Sequence, residues 1–173
     1  MEMPSSFSLD LIWELAENEL NGERPSQYEI ETAIRKSADA TFHVMAETEQ
    51  GPRGLTRSLC LVVCSTTAIQ EANRTFRYKD KVTNVLSFPS GFDDVSSESI
   101  EAELPLGDIM ICAEQVFTES LLQNKSALSH FSHLTCHGIL HLLGYDHIDA
   151  DEANEMEALE ISIMNRLGFS SPY

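Results

Sequence analysis

Three of the six histidines in this chain, His137, His141 and His147, fall within the stretch His137-Gly138-Ile139-Leu140-His141-Leu142-Leu143-Gly144-Tyr145-Asp146-His147. On a helix, a separation of four residues stacks two imidazoles on one face about 6 Å apart. Gly144 then offers a helix end that can swing His147 round beside them. Three convergent imidazoles with no obvious fourth protein ligand describe an open metal site, the kind that does chemistry rather than holding a fold together. A rival register begins upstream, since His133 also lies four residues before His137. His133 and His141 would be about 12 Å apart along a helix axis, so one ion cannot take both. His130 and His133 therefore read as supporting or surface residues, and His43 as an ordinary histidine.

A divalent metal held by neutral imidazoles keeps its full double charge and brings the pKa of a bound water to about 7. That nucleophile would serve a phosphodiester or an amide. A zinc protease of the His-Glu-x-x-His type keeps a glutamate beside its first histidine as general base; here Gly138 stands in that place. Asp146 could orient a ligand or act as base, or simply form the turn after Gly144. A second constellation lies apart from the histidines. Of 11 lysines and arginines, four (Arg74, Arg77, Lys79 and Lys81) cluster between Asn73 and Lys81. Such a strip can focus a phosphate, and a solvated charged turn explains it as well.

The elements that must position these groups can be read from periodicity. Leu9, Leu11, Trp13 and Leu15 alternate with Asp10, Ile12 and Glu14, a period close to two that suggests a half-buried strand, although the same residues could nearly make a helix. Ser26-Gln27-Tyr28-Glu29 matches a capping box opening a helix with Ile30, Ile34, Ala38, Phe42 and Met45 at helical spacing. Ser58 to Cys64 is a short apolar run suited to a central strand. Thr67 to Gln70 reads as a second capping signal, opening a helix toward Phe76, with the basic strip following as a loop. Val82 to Phe88 reads as a strand stopped by Pro89, residues 90–105 as an acidic loop, and Leu106 to Cys112 as a fourth strand. Helices follow over Glu114–Gln123 and Ser126–Leu143, the latter apolar enough to be central and buried. A last helix is capped by Asp149, with Ala153, Met156, Leu159, Ile163 and Leu167 as its core stripe and Gly168 as its end. Glu160 lies close to that stripe, either snorkelling or orienting a metal ligand.

The polar run from Asn18 to Pro25 and the cluster Gln50–Gly54 read as loop and turn. With 173 residues, 42% apolar and no run near the roughly 20 apolar residues that a membrane span needs, the chain is expected to be one domain over residues 1–173. The first residues lack a charged region followed by an apolar core, so a cytoplasmic location is expected. Cys60, Cys64, Cys112 and Cys136 form no Cys-x-x-Cys pair and read as reduced thiols. A net charge of −17 argues against a polyanionic partner unless the local basic strip outweighs the total.

Three blocks resemble the YbeY family of bacterial endoribonucleases and rRNA maturation factors: Asn73 to Phe88, ending Thr83-Asn84-Val85-Leu86-Ser87-Phe88; Pro105-Leu106-Gly107-Asp108-Ile109; and His137 through His147, continuing into Met156, Glu157 and Glu160. Val82 departs from the family, which commonly has proline there, and the acidic segment from Phe92 to Glu103 looks like a variable insertion. The resemblance implies an α+β fold with a small mixed four-stranded sheet flanked by about five helices and a zincin-like central metal helix. It implies one zinc ion on His137, His141 and His147, and Arg77 as the functionally important arginine, holding a non-bridging phosphate oxygen. Arg74, Lys79 and Lys81 would then bind substrate. The partners implied are single-stranded RNA and the small ribosomal subunit with its assembly factors, in 16S rRNA 3′-end maturation and ribosome quality control, with neither DNA nor membrane. Two alternatives stay open on the residues alone: a non-catalytic ribosome-assembly factor stabilised by its metal, and a zinc metallopeptidase.

Overall fold

The computed structural model describes residues 7–16, 23–48, 56–91 and 103–173. Most of the polar run after Asn18, the Gln50–Gly54 turn and most of the acidic segment lie outside those residues. The elements run β1 (Phe7–Trp13), α1 (Gln27–Glu47), β2 (Arg57–Cys64), α2 (Thr66–Arg77), β3 (Val85–Pro89), β4 (Leu104–Cys112), α3 (Ala113–Leu122), α4 (Ala127–Leu142) and α5 (Ala150–Arg166). The sheet order is β1-β2-β4-β3. β1, β2 and β4 are parallel, and β3 is antiparallel to β4. This is the expected α+β fold, with a mixed four-stranded sheet and five helices among the described residues.

The two helices that matter most lie on one face of the sheet. Ile30, Ile34, Ala38 and Phe42 of α1 and Phe131, Leu134 and Ile139 of α4 share a core with Leu59, Leu61 and Val63 of β2 and Ile109 and Ile111 of β4. α2 covers part of the opposite face, where Ile69 and Ala72 meet Leu86 and Cys112. α5 closes the outer side of α4, bringing Met156, Ile163 and Met164 against Cys136 and Leu140. Burial on three sides leaves α4 a single narrow opening. From Phe131 to Leu142 every residue is buried except His133, His137 and His141. They lie one turn apart on one helix face, so the packing itself presents an imidazole stripe.

The capping box at Ser26 is formed in both directions, with Glu29 N–H donating to Ser26 Oγ and Ser26 N–H to Glu29 Oε2. Asp149 caps α5 by accepting from the Asp151 and Glu152 amides. Several boundaries differ from the periodicity. β1 starts at Phe7 because it pairs with β2 from Arg57 onward. The second helix is capped by Ser65, not at Thr67, so Arg74 and Arg77 are helical and only Tyr78 to Lys81 of the basic strip leave the helix. β3 begins at Val85 rather than Val82: the buried Asn73 donates its Nδ2–H to the Lys81 carbonyl at 2.9 Å and holds the preceding residues as a turn. β4 begins at Leu104, inside the expected loop, because its ladder with β2 starts there. All four cysteines are free.

Candidate metal centre

His137 and His141 face each other from successive turns of α4, ring centroids 4.5 Å apart. The tautomer of each is set by its other nitrogen. His137 Nδ1–H donates to Glu160 Oε1 at 2.7 Å, and His141 Nδ1–H donates to the Tyr145 carbonyl at 2.9 Å. Both Nε2 atoms are then bare lone pairs, 3.0 Å apart. Two lone pairs so placed repel unless a proton or a cation lies between them, and commitment of the distal N–H to a carboxylate or carbonyl is the usual support of a ligating imidazole. Burial, reinforced by His137 and His147 nearby, lowers the His141 pKa and keeps that lone pair available.

His147 arrives by way of the turn. Gly144 sits at φ +95, and Gly144 N–H bonds to His141 O while Tyr145 N–H bonds to Leu140 O. This is a Schellman end, whose left-handed residue glycine takes without a Cβ penalty. It brings the His147 ring to 5.2 Å from His141 and 5.8 Å from His137. One ligand atom from each histidine lies within 4.8 Å of the others, a grouping that could hold a metal ion. Asp146 spends Oδ1 on the His147 amide at 2.8 Å, the turn-forming role.

The upstream register also appears as a group, His133 with His137 and Glu160. It is already satisfied by hydrogen bonds: Glu160 Oε1 accepts from His137 at 2.7 Å and from His133 Nε2 at 3.1 Å. Glu160 is only 1% exposed. Burial alone would raise its pKa, but hydrogen bonds from His133, His137 and Tyr173 outweigh it and hold the carboxyl at about 2. A permanently ionised carboxylate behind His137 fits the orienting alternative for Glu160. His130 lies farther along the helix and bonds through Nε2 to Glu119 at 2.7 Å. Glu119 also accepts from Asn84 at 2.9 Å, tying the Thr83–Phe88 block to α3 and α4.

Gly138 has a structural reason of its own. A Cβ there would lie 3.0 Å from Ile109 Cδ1 and 3.2 Å from Ser87 Oγ. A glutamate in that place would point into the sheet.

The basic residues divide. Arg77 donates to the Ser87 carbonyl at 3.2 Å, and Ser87 Oγ reaches the Gly138 carbonyl at 3.4 Å, one residue from His137. Arg74 instead grips Glu71, with Nη2 to Oε1 at 2.7 Å and Nε to Oε2 at 3.1 Å. That spacing of three residues was readable on a helix. Lys79 and Lys81 have exposed side chains on the turn. Flanking them, Phe76 is 66% and Tyr78 92% exposed. The sequence reading assigned no role to either aromatic, to Asn73 or to Tyr173.

A mixed sheet carrying a buried helix with an outward imidazole stripe defines an α+β protein with a histidine cluster that could hold a metal ion. Residues 21–168 match the family described as Endoribonuclease YbeY. A protein named Endoribonuclease YbeY from Ruthia magnifica subsp. Calyptogena magnifica is 46% identical over 115 residues, 66% of this chain and 76% of that one. Its namesake from Acinetobacter baumannii strain ATCC 17978 is 52% identical over 104 residues, 60% of this chain and 65% of that one. The solution structure of TM1509 from Thermotoga maritima shares the fold, with TM-score 0.50 at 20% identity, covering 93% of this chain and 92% of the other. The chain belongs to the endoribonuclease YbeY family.

Proposed function

We propose that the chain is a metal-dependent endoribonuclease that hydrolyses phosphodiesters of single-stranded RNA. The observation that carries this is the pair of lone pairs on His137 and His141, 3.0 Å apart with both distal nitrogens committed, in a chain whose relatives are named endoribonuclease. His137, His141 and His147 would hold one zinc ion. Bound there, zinc supplies a Lewis acid and a source of hydroxide near neutral pH.

Arg77 spends one N–H on Ser87, which aims the guanidinium while leaving further donors for a non-bridging phosphate oxygen. Lys79 and Lys81 add positive charge along the approach, whereas Arg74 is largely neutralised by Glu71. Exposed Phe76 and Tyr78, interleaved with these cations, suit a single strand, whose unpaired bases can stack on aromatic faces. For its setting in the cell we propose the small ribosomal subunit, in 3′-end maturation of 16S rRNA and ribosome quality control, a reading supported by the family resemblance alone. A metallopeptidase is disfavoured by the absence of space for a base at Gly138, and a purely structural metal by the family name.

Elemental analysis paired with cleavage of an unstructured RNA tests the assignment. His141→Ala should lose both metal and cleavage. Arg77→Ala should keep its metal and cut about a hundredfold more slowly, the usual cost of one transition-state donor. Undiminished cleavage in Arg77→Ala would remove that residue from the mechanism. Cleavage by a demonstrably metal-free protein would remove the metal.

A further inference from the structure

Beyond α5 the chain turns back along the metal helix. Residues 169–172 line a cavity with Lys125, Ser126, His130 and His133 of the α4 entry. Pro172 is buried, and its carbonyl accepts from Lys125 Nζ. The Tyr173 ring meets His133 edge-on, centroids 5.6 Å apart at 83°. Its hydroxyl donates to Glu160 Oε2.

The two oxygens of Glu160 thus have separate tasks. Oε1 takes both histidine donors, and Oε2 takes Tyr173, which is the one donor to it among the described residues. With only Oε1 held, a carboxylate can pivot about its carbon–carbon bond. The Tyr173 hydroxyl blocks that rotation and satisfies an oxygen that is otherwise costly to bury. Tyr173 as a whole residue stays 62% exposed, so it adds little to the core, and the hydroxyl contact is what distinguishes the position.

We infer that Tyr173 is a positioning residue for the metal centre, acting through Glu160 to hold the His137 Nδ1–H and so aim its Nε2 toward His141 and His147. This rests on the reading of His137 as a metal ligand. A residue that supports a ligand from behind commonly changes metal affinity ten- to a hundredfold. The decisive variant is Tyr173→Phe, which keeps the ring against His133 and removes only the hydroxyl.

Zinc affinity is measured on the full chain by competition with a chromophoric chelator, alongside wild type, Tyr173→Ala and His137→Ala. Nitrogen-15 NMR of the metal-free imidazoles reports the His137 tautomer. Tyr173→Phe should weaken zinc about tenfold, match Tyr173→Ala, and turn one fixed His137 tautomer into an exchanging mixture. The inference is overturned if Tyr173→Phe binds zinc as wild type does, whether or not Tyr173→Ala is impaired. It is equally overturned if affinity falls only with the melting temperature of the metal-free protein while the tautomer stays fixed. Zinc binding that survives His137→Ala would sink the ligand reading instead, a result separable from the first because Tyr173 plays no part in it.

Discussion

His130 is a buried histidine whose Nδ1 has no hydrogen-bond partner among the described residues while its Nε2–H bonds to Glu119. Burial lowers its pKa below 6.5, against the opposing pull of Glu119. The unfolded chain therefore takes up the proton first as pH falls, and the stability contributed is full above 6.5 and lost below it. Glu119 works in a lower window: burial would raise its pKa, but hydrogen bonds from His130, Asn84 and Gln115 bring it below 4.5. Its contribution is present above that value and disappears as pH falls toward its folded pKa. In chelator-treated protein the urea midpoint should fall between about pH 7.5 and pH 5.5, and His130→Asn should flatten that fall. His141 titrates with the same sign, so the slope should shrink without vanishing; an unaltered slope would assign the whole effect elsewhere. At this scale the three imidazoles were legible because both their spacing and the helix-ending glycine are local. Tyr173 was not, since thirteen residues and a reversal of chain direction separate it from Glu160.

Within α4, Gly138 packs directly against the sheet at Ile109 and Ser87. An alanine Cβ there would lie 3.0 Å from Ile109 and 3.2 Å from Ser87, so these side chains must give by a few tenths of an ångström, and overpacking of this kind typically costs about 1–3 kcal/mol. Gly138→Ala should lower the unfolding free energy from urea denaturation by that amount, and an unchanged free energy would show that β3 and β4 yield freely. Gly144 has open space around it but φ +95. Its replacement by alanine should cost about 1 kcal/mol through backbone strain and weaken zinc through His147, measured by the same chelator competition. Helices and strands were visible in the periodicity. Their ends were less so, because side-chain bonds from elsewhere set them: Ser65 rather than Thr67 opens α2, and Asn73 keeps Val82 to Asn84 out of β3. Val82 packs instead beside Ile69 and Leu86.

Across the whole molecule, a net charge of −17 coexists with a small cationic surface at Arg77, Lys79 and Lys81. RNA affinity should therefore depend only weakly on salt. Each phosphate contact on a single strand contributes about −0.7 to the slope of log affinity against log salt, so Lys79→Ala or Lys81→Ala should flatten it by about that much. Tyr78→Ala should instead weaken binding by about 1–3 kcal/mol with the slope unchanged. Fluorescence anisotropy over a salt series separates the two, and a Tyr78 effect on slope alone would exclude stacking. No helix among the described residues is long and apolar enough to cross a membrane.

Taken by itself, the sequence determined the helices and strands and the three imidazoles, since each depends on spacing within one or two turns of chain; Arg77 was singled out only by the family resemblance. Tertiary structure decided what those residues can do. Packing on three sides exposes one stripe of α4, contact with the sheet crowds any side chain at Gly138, and α5 with residue 173 supplies the carboxylate network behind His137. Those outcomes rest on contacts between segments far apart in sequence, where hydrophobic periodicity carries no information about partner or register.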